Sequence, residues 1–298
     1  MESAASYAYK PSTLLNYYRV FEKLKIFLTQ FNANFVLPIE SYYVYLYVGQ
    51  LITQRTPASS IRSSLSAISW LHKMHNVQDP TIEPLMKKVL LGIKRMQARK
   101  PELLPLDREL LQILCSLSYS LIPSQYDQKL IRVVLQIMYY ACLRVGEAVG
   151  SASTEHTLRL ANVAISKGPT PVVTFMFDSY KHSKMPKRIE LHSAPQQPHC
   201  PVTALRDYLA VRCPGADTLF NDQRGKTATR QFVAEKLKFL VSHAGLDPTR
   251  YNTHSLRIGR TTDLAKEGVP EAIIRETGRW ESDAYKRYIR FPAFILPR

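Results

Sequence analysis

The stretch Arg99–Asp107, RKPELLPLD, constrains the fold more strongly than any other part of the sequence. Its two prolines remove backbone donors and clash with a preceding helical turn, so no regular helix is expected to run through it. A chain of 298 residues is long enough for about two domains. We therefore predict a first domain at residues 1–98, a linker at 99–106 and a second domain at 107–298.

Residues 1–98 have the apolar spacing of helices. Apolar side chains recur at helical intervals from Leu14 to Leu28, and further runs begin at Ile39, after Pro57 and after Pro80. Proline in a first turn and basic residues in a last turn agree with the chemistry of helix ends. Helices of this length pack as a small bundle, so the first domain is predicted to be entirely helical.

The second domain combines helices with a β-hairpin. Helical patterns cover about residues 107–118 and 124–141. The segment 171–180, PVVTFMFDSY, is rich in β-branched and aromatic residues, and a second such run, KRIEL, follows at 187–191. Helical patterns then resume. The predicted fold class is mainly α with a small β-sheet: a helical domain followed by an α+β domain.

The charge of the chain points to a polyanionic partner. Lysine and arginine number 40 against 24 acidic residues, a net charge of +16. Residues 1–100 carry 13 basic and 5 acidic residues, and residues 101–298 carry 27 and 19, so both parts are positive. Nucleic acid is the commonest partner of so basic a chain, and lysines that only maintain solubility are the alternative. The most apolar stretch, SYYVYLYVGQLI, is too short to span a bilayer, so no membrane partner is expected.

No pattern of a cofactor or metal site is visible in the sequence. The four cysteines form no CxxC pair and have no spacing typical of zinc sites, so free thiols are expected. Neither GxxxxGK[ST] nor GxGxxG occurs. We therefore expect no metal and no cofactor.

Two segments carry arginines in positions suited to anion binding. In ACLRVGEAV, Arg144 follows a long apolar helix and either pairs with Glu147 or points into a cleft. In THSLRIG, His254 and Arg257 stand three apart, on one face of a helix. A cation and an imidazole placed side by side can hold one anion, although an ordinary surface helix has the same pattern.

A third segment, TGRWESDAYKRYIR at 277–290, carries a candidate nucleophile. Trp280 follows a Gly-Arg turn, and Tyr285 and Tyr288 stand three apart among basic residues. A positive field favours the phenolate and makes a phenol a usable nucleophile. Aromatic packing on a surface helix is the alternative interpretation.

The order of these segments resembles the tyrosine recombinases, the lambda-integrase-like family. The order is an arginine, a lysine-bearing hairpin, HxxR, a Gly-x-Trp turn and a tyrosine. The resemblance covers essentially the whole chain. The phrases CPVTALRDYL, YNTHSLRIGRTT and GRWESDAYKRYIR are most similar to recombinases of eukaryotic DIRS-like mobile elements, with phage-type integrases as the alternative. The resemblance implies a helical core-binding domain at 1–98 and a catalytic domain at 107–298.

The resemblance also implies a function and its residues. It implies a site-specific recombinase or integrase of a mobile element that cuts and rejoins DNA through a 3′-phosphotyrosine. A catalytically silent DNA-binding relative and a type IB topoisomerase-like enzyme are the alternatives. Lys184 or Lys187 could replace Lys181 in the catalytic set, and Tyr285 could replace Tyr288. The implied catalytic residues are Arg144, Lys181, His254, Arg257, Trp280 and Tyr288.

Double-stranded DNA is the implied partner, enclosed between the two domains. Four copies on two DNA sites are expected, with a monomer in the absence of DNA. The location would be nuclear in a eukaryote and cytoplasmic otherwise. Contacts to phosphates fix the register of such a protein on DNA without reading its sequence. The candidates in the first domain are Arg62, Lys87, Lys88, Lys94 and Arg95.

Overall fold

The computed structural model describes residues 8–9, 11–97, 101–150, 156–178, 186–194 and 199–291. The chain divides into two compact units, Met1–Lys100 and Pro101–Arg298. The predicted linker at 99–106 spans the boundary between these units.

In its described part, the first unit consists of helices around an apolar core. Their order is α1 (Pro11–Thr29), α2 (Ser41–Thr53), α3 (Ala58–Met74) and α4 (Pro84–Met96). Pro84 lies in the first turn of α4, as expected for a residue without a backbone donor. Each helix buries the apolar side of its pattern, and the core includes Leu24, Leu28, Val44, Ile61, Ile68 and Met86.

The second unit is built around one buried helix. Helix α6 (Gln125–Tyr140) is buried on all sides from Val133 to Tyr139, as expected of a helix surrounded by protein there. Helix α5 (Arg108–Leu121) precedes it, and the short helix α7 (Val145–Ala148) follows it. The later helices are α8 (Pro201–Leu209), α9 (Arg230–His243), α10 (Thr253–Lys266) and α11 (Glu271–Gly278). Short 3₁₀ helices cover Leu160–Asn162, Pro248–Arg250 and Asp283–Tyr288.

The sheet of the second unit has three described antiparallel strands, in the order β1-β2-β3. Strand β2 (Val172–Phe177) pairs with β3 (Lys187–His192), and Phe175 lies opposite Ile189. This confirms the predicted hairpin. The sequence analysis missed β1 (Val163–Ile165), because three residues are too few to show an alternating pattern.

The end of the predicted linker is part of the second unit. The backbone N–H of Leu106 donates to the carbonyl of Ser255, in α10, at 2.9 Å, and that of Leu104 donates to the carbonyl of Arg250 at 2.9 Å. Leu106 is fully buried. Gly259 permits this contact, because a Cβ at that position would lie 1.7 Å from the Leu106 carbonyl oxygen. The chain therefore lies directly against the helix that carries His254 and Arg257.

Within the described residues, no helix is both long and apolar enough to cross a membrane.

Candidate active site

Helix α10 begins at a capped turn that carries His254 and Arg257. The Asn252 side chain accepts a hydrogen bond from the His254 backbone N–H at 2.8 Å. The Ser255 hydroxyl in turn accepts one from the Asn252 backbone N–H at 3.2 Å. These bonds satisfy donors that a helix start leaves without partners, and they fix the first turn. His254 and Arg257 consequently project from the same face of the helix.

Arg257 is a fully buried cation. Its guanidinium donates to the backbone carbonyls of Cys142 and Gly278. The Trp280 ring centroid lies 4.1 Å from the guanidinium carbon, so the indole face also compensates the buried charge. Tyr288 lies over the same group at 5.5 Å. Arg257 is thus held by the chain around Cys142 and by the turn that follows α11.

Arg144 is the second cation of the site and is partly exposed. It caps α7, and its Nη1 donates to Glu147 Oε1 at 3.0 Å while its backbone N–H donates to Glu147 Oε2 at 2.9 Å. Burial opposes ionisation of Glu147. The Arg279 charge, the hydrogen bond from the Arg144 backbone and the charges of Arg144 and Arg257 outweigh this effect and lower the pKa of Glu147. Glu147 therefore remains a carboxylate that holds Arg144 in place.

Tyr288 lies at the centre of this group. Its ring centroid is 4.9 Å from the His254 ring and 4.9 Å from the Trp280 ring. Its backbone carbonyl accepts a hydrogen bond from the Thr262 hydroxyl at 3.2 Å, and that hydroxyl accepts one from the Arg290 backbone N–H at 3.1 Å. Thr262 belongs to α10, so the helix that carries the imidazole and the buried cation also positions the tyrosine.

Tyr285 is in a different environment. It is fully buried, and its hydroxyl donates to the carboxylate of Glu271. That hydrogen bond, with burial and the negative charge, raises the pKa of Tyr285 above its usual value. A phenol held this way is a weak nucleophile. The phenol of Tyr288, by contrast, is beside the cationic groups.

His254 has an imidazole suited to accepting a proton. Partial burial disfavours its charged form, and the nearby charges of Arg257 and Arg144 add to the effect. Together they lower the pKa of His254 below its usual value. The imidazole is therefore neutral at pH 7 and has a free lone pair for a proton.

Comparison with protein families identifies the second unit. The model of the phage integrase family matches residues 107–290, more than half of the chain. The chain belongs to the phage integrase family. Among curated proteins, no match to the sequence was found.

Solved structures of a site-specific recombinase and of two integrases share the fold of this chain. The XerH site-specific recombinase in a post-cleavage complex with palindromic difH is 16% identical, with a TM-score of 0.59 over 94% of this chain and 75% of that one. A lambda integrase dimer on a COC′ core site is 14% identical, with a TM-score of 0.62 over 96% and 74%. The Tn1549 transposon integrase with circular intermediate DNA is 16% identical, with a TM-score of 0.58 over 96% and 92%. These likenesses show the tyrosine recombinase fold.

The hairpin lysines of this integrase-family chain are only partly described. Lys181 and Lys184 lie outside the described residues. Lys187, the other alternative, begins β3, and its ammonium pairs with Glu276 of α11 at 2.7 Å. Both side chains of that pair are partly exposed, so it contributes little to stability.

The basic residues predicted to contact phosphates are all exposed. Arg62 is on α3, and the remaining ones are on α4. All of them can reach a ligand without a change in the core. These α4 residues are Lys87, Lys88, Lys94 and Arg95.

The sequence analysis missed two residues of the site. Thr262 fixes the backbone of Tyr288, and its sequence context gives no signal of this role. Arg279 is buried and pairs with Glu147 at 2.6 Å. Its position between Gly278 and Trp280 was the available signal, but arginine is rarely buried, so an exposed side chain is the default expectation. In the described part of the chain, no group of three or more His, Cys, Asp or Glu residues could hold a metal ion.

Proposed function

We propose that this chain is a site-specific DNA recombinase that cuts and rejoins double-stranded DNA through a covalent bond between Tyr288 and a 3′-phosphate. The observation that carries this proposal is the position of the Tyr288 ring, 4.9 Å from the His254 ring and 5.5 Å from the Arg257 guanidinium. Membership of the phage integrase family supports it. So does the fold shared with XerH and lambda integrase, both of which were solved on DNA.

Arg144 and Arg257 would bind the phosphate that is cut. The transition state of phosphoryl transfer carries negative charge on the non-bridging oxygens, which guanidinium groups can bind bidentately. Cations already held in place stabilise that charge with little reorganisation. Arg257 is covered by Tyr288 and Trp280 in the unbound protein. We therefore expect the Tyr288 ring to shift when a phosphate enters.

The chemical step exchanges one phosphodiester for another. The phenolic oxygen of Tyr288 attacks phosphorus, and the bond from phosphorus to the 5′-oxygen breaks. His254 accepts the phenolic proton, and the leaving 5′-oxygen takes a proton from a lysine of the hairpin, for which we propose Lys181. Trp280 can donate its indole N–H to a phosphate oxygen. Because the phosphotyrosine conserves the ester bond, rejoining requires no nucleotide.

The charge distribution supplies the affinity for DNA. A net charge of +16 and the exposed lysines of α4 suit a partner bound through its phosphates. Exchange between two duplexes requires cleavage on both, so we propose four copies on two sites. We also propose that the natural substrate is a mobile element, on the resemblance of the segment GRWESDAYKRYIR to recombinases of such elements.

A suicide substrate tests the proposal. A duplex with a nick near the target site loses the short 5′-hydroxyl fragment after cleavage, so the covalent protein–DNA adduct accumulates. We expect the adduct with the native protein and none with Tyr288→Phe, with binding to DNA unchanged. Tyr285→Phe is the matched control and should still form the adduct. An adduct with Tyr288→Phe that is lost in Tyr285→Phe would assign the nucleophile to Tyr285.

The same proteins on supercoiled plasmid and on paired target sites separate the alternatives. Recombination of the paired sites supports the proposal. Relaxation of plasmid without recombination would indicate a topoisomerase-like enzyme. DNA binding with neither reaction would indicate a catalytically silent relative.

A further inference from the structure

Arg279 has an unusual backbone conformation and an unusual environment. It follows α11 with φ 56° and ψ 48°, the left-handed region that glycine or asparagine usually occupies at this position. Its side chain is only 2% exposed. A charged side chain is rarely buried unless specific partners hold it. The partners of Arg279 therefore indicate what it does.

Those partners are the supports of the two phosphate-binding arginines. Arg279 Nη2 lies 2.6 Å from Glu147 Oε2, the carboxylate that also holds Arg144. The same nitrogen donates to the Cys142 carbonyl at 3.3 Å, which also accepts from Arg257. Nη1 donates to the Ala141 carbonyl at 3.2 Å. One guanidinium thus joins the groups that fix Arg144 and Arg257.

The residues on either side of Arg279 contact Arg257 directly. The Gly278 carbonyl accepts a hydrogen bond from the Arg257 guanidinium, and the Trp280 ring centroid lies 4.1 Å from the guanidinium carbon of Arg257. The left-handed turn makes this arrangement possible, because it lets Arg279 reach inward while its neighbours stay beside Arg257. The Gly278 position is equally constrained, since a Cβ there would lie 1.6 Å from a carbon of the Trp280 ring.

We infer that Arg279 is a positioning residue that holds Arg144 and Arg257 together as one preformed site for a phosphate. This inference rests on the proposed function, but it concerns the anion site itself. The Arg279 charge is already paired with Glu147 and with two backbone carbonyls, and the Tyr288 ring, which we expect to shift, covers Arg257. We therefore expect Arg279 to support the phosphate-binding arginines without contacting DNA. Without it, Glu147 would hold Arg144 alone, and Arg257 would lose the link through the Cys142 carbonyl.

The first test measures anion binding without catalysis. The chain has two tryptophans, so Trp70→Phe leaves Trp280 as the only indole fluorophore and places it in the site. Adding Tyr288→Ala uncovers Arg257 and removes the nucleophile. This double variant is the parent protein of the test. Sulfate is titrated into the parent and into two derivatives that carry Arg279→Met or Arg279→Lys in addition. Sulfate is a suitable probe because it keeps its charge over the working pH range.

We expect Arg279→Met to weaken sulfate binding by about tenfold or more, the effect of losing charge-assisted hydrogen bonds. Arg279→Lys keeps the charge and one bond to Glu147, so it should recover part of the affinity. The matched control is Arg212→Met. Arg212 also donates to several backbone carbonyls of the second unit, those of Leu219 and Thr218 among them, and its loss should reduce stability without changing sulfate affinity.

The second test uses the chain with Tyr288 intact. In single-turnover cleavage of the suicide substrate, Arg279→Met should lower the rate by at least about tenfold while the affinity for DNA stays within about threefold, because most phosphate contacts lie elsewhere. Arg279→Lys should have an intermediate rate. The melting temperature of each variant shows whether a slower cleavage rate reflects unfolding. If Arg279→Met unfolds, the cleavage rates of Arg279→Lys and native protein are compared instead.

Equal sulfate affinity in the parent and in its Arg279→Met derivative would overturn the inference. Where the Met derivative unfolds, equal affinity in the parent and in its Arg279→Lys derivative would overturn it. So would a parent protein that binds no sulfate. If native protein forms no adduct with DNA but sulfate affinity still depends on Arg279, the recombinase proposal fails and the positioning role stands.

Discussion

Replacing Gly259 by alanine would disturb the contact between α10 and the chain that enters the second unit. The added Cβ would lie 1.7 Å from the Leu106 carbonyl oxygen, 2.2 Å from its carbonyl carbon and 2.8 Å from the Asp107 nitrogen. All three are backbone atoms, so a rotated side chain cannot relieve the clash. An ordinary contact needs at least 3.4 Å, so the two segments must separate.

The energetic cost follows from what that separation breaks. Overpacking costs about 1–3 kcal/mol, and losing the hydrogen bond from Leu106 to Ser255 costs about 0.5–1.5 kcal/mol more. Alanine is the better helix former by about 1 kcal/mol, which offsets part of this. We expect Gly259→Ala to lower the free energy of unfolding by about 0.5–3.5 kcal/mol, with about 2 kcal/mol as the midpoint. For a unit of this size, about 2 kcal/mol corresponds to a fall in melting temperature of roughly 4–8 °C.

Calorimetry of the whole chain measures this effect, with Gly245→Ala as a matched control. Gly245 is also in the second unit, and a Cβ there meets nothing within 4 Å, but its φ is +75°. That substitution tests backbone strain alone and should cost about 1 kcal/mol. A Gly259→Ala protein no less stable than Gly245→Ala would refute the clash argument. Cleavage should also slow in Gly259→Ala, since the shifted segment contacts the turn that carries His254.

Three further predictions concern the reaction. The cleavage rate should fall in acid, because protonated His254 cannot accept the phenolic proton, and its lowered pKa places this fall at a pH below the usual 6.5 of histidine. A rate that rises in acid would contradict the base role. Cleavage of the suicide substrate should proceed in excess EDTA, because Arg144 and Arg257 supply the positive charge that stabilises the transition state. A strict need for magnesium in the chemical step would contradict this role of the two arginines. DNA affinity, measured by filter binding, should fall by roughly 10³–10⁵ between about 50 and 200 mM salt if roughly 6–10 phosphates are contacted. An affinity that does not depend on salt would indicate that the basic residues serve only solubility.

The helices and the hairpin were predictable because their patterns are long and continuous. The apolar residues Val133, Val134, Leu135, Ile137 and Met138 predicted an apolar helix, and α6 is buried there on all sides. The β-branched run of β2 predicted a strand for the same reason. The end of the linker was harder to define, because Leu104 and Leu106 become part of the second unit only through contacts to Arg250 and Ser255, which are distant in sequence.

The environments of the two tyrosines were not predictable from spacing. Tyr285 and Tyr288 stand three apart, and both rings lie near Trp280, at 6.4 and 4.9 Å. What separates them is their surroundings: the Tyr285 hydroxyl donates to Glu271, whereas the Tyr288 ring lies beside the His254 ring and the Arg257 guanidinium. Glu271, the partner of Tyr285, comes from α11 and is brought to it by tertiary packing. Local sequence therefore identified two possible nucleophiles, and the surrounding helices distinguish them.

The site also shows why a buried polar cluster is maintained beside an apolar core. Arg257, Arg279 and Glu147 are all buried and would cost stability if any of them lacked a partner. Their bonds are shared: Glu147 serves two arginines, and the Cys142 carbonyl serves two as well. A fully satisfied polar network rigidifies its members, so the cations are held in one arrangement. In the reaction proposed above, electrostatic stabilisation of the phosphoryl transition state requires rigid cations, and that role would compensate for the cost of the buried charges in stability.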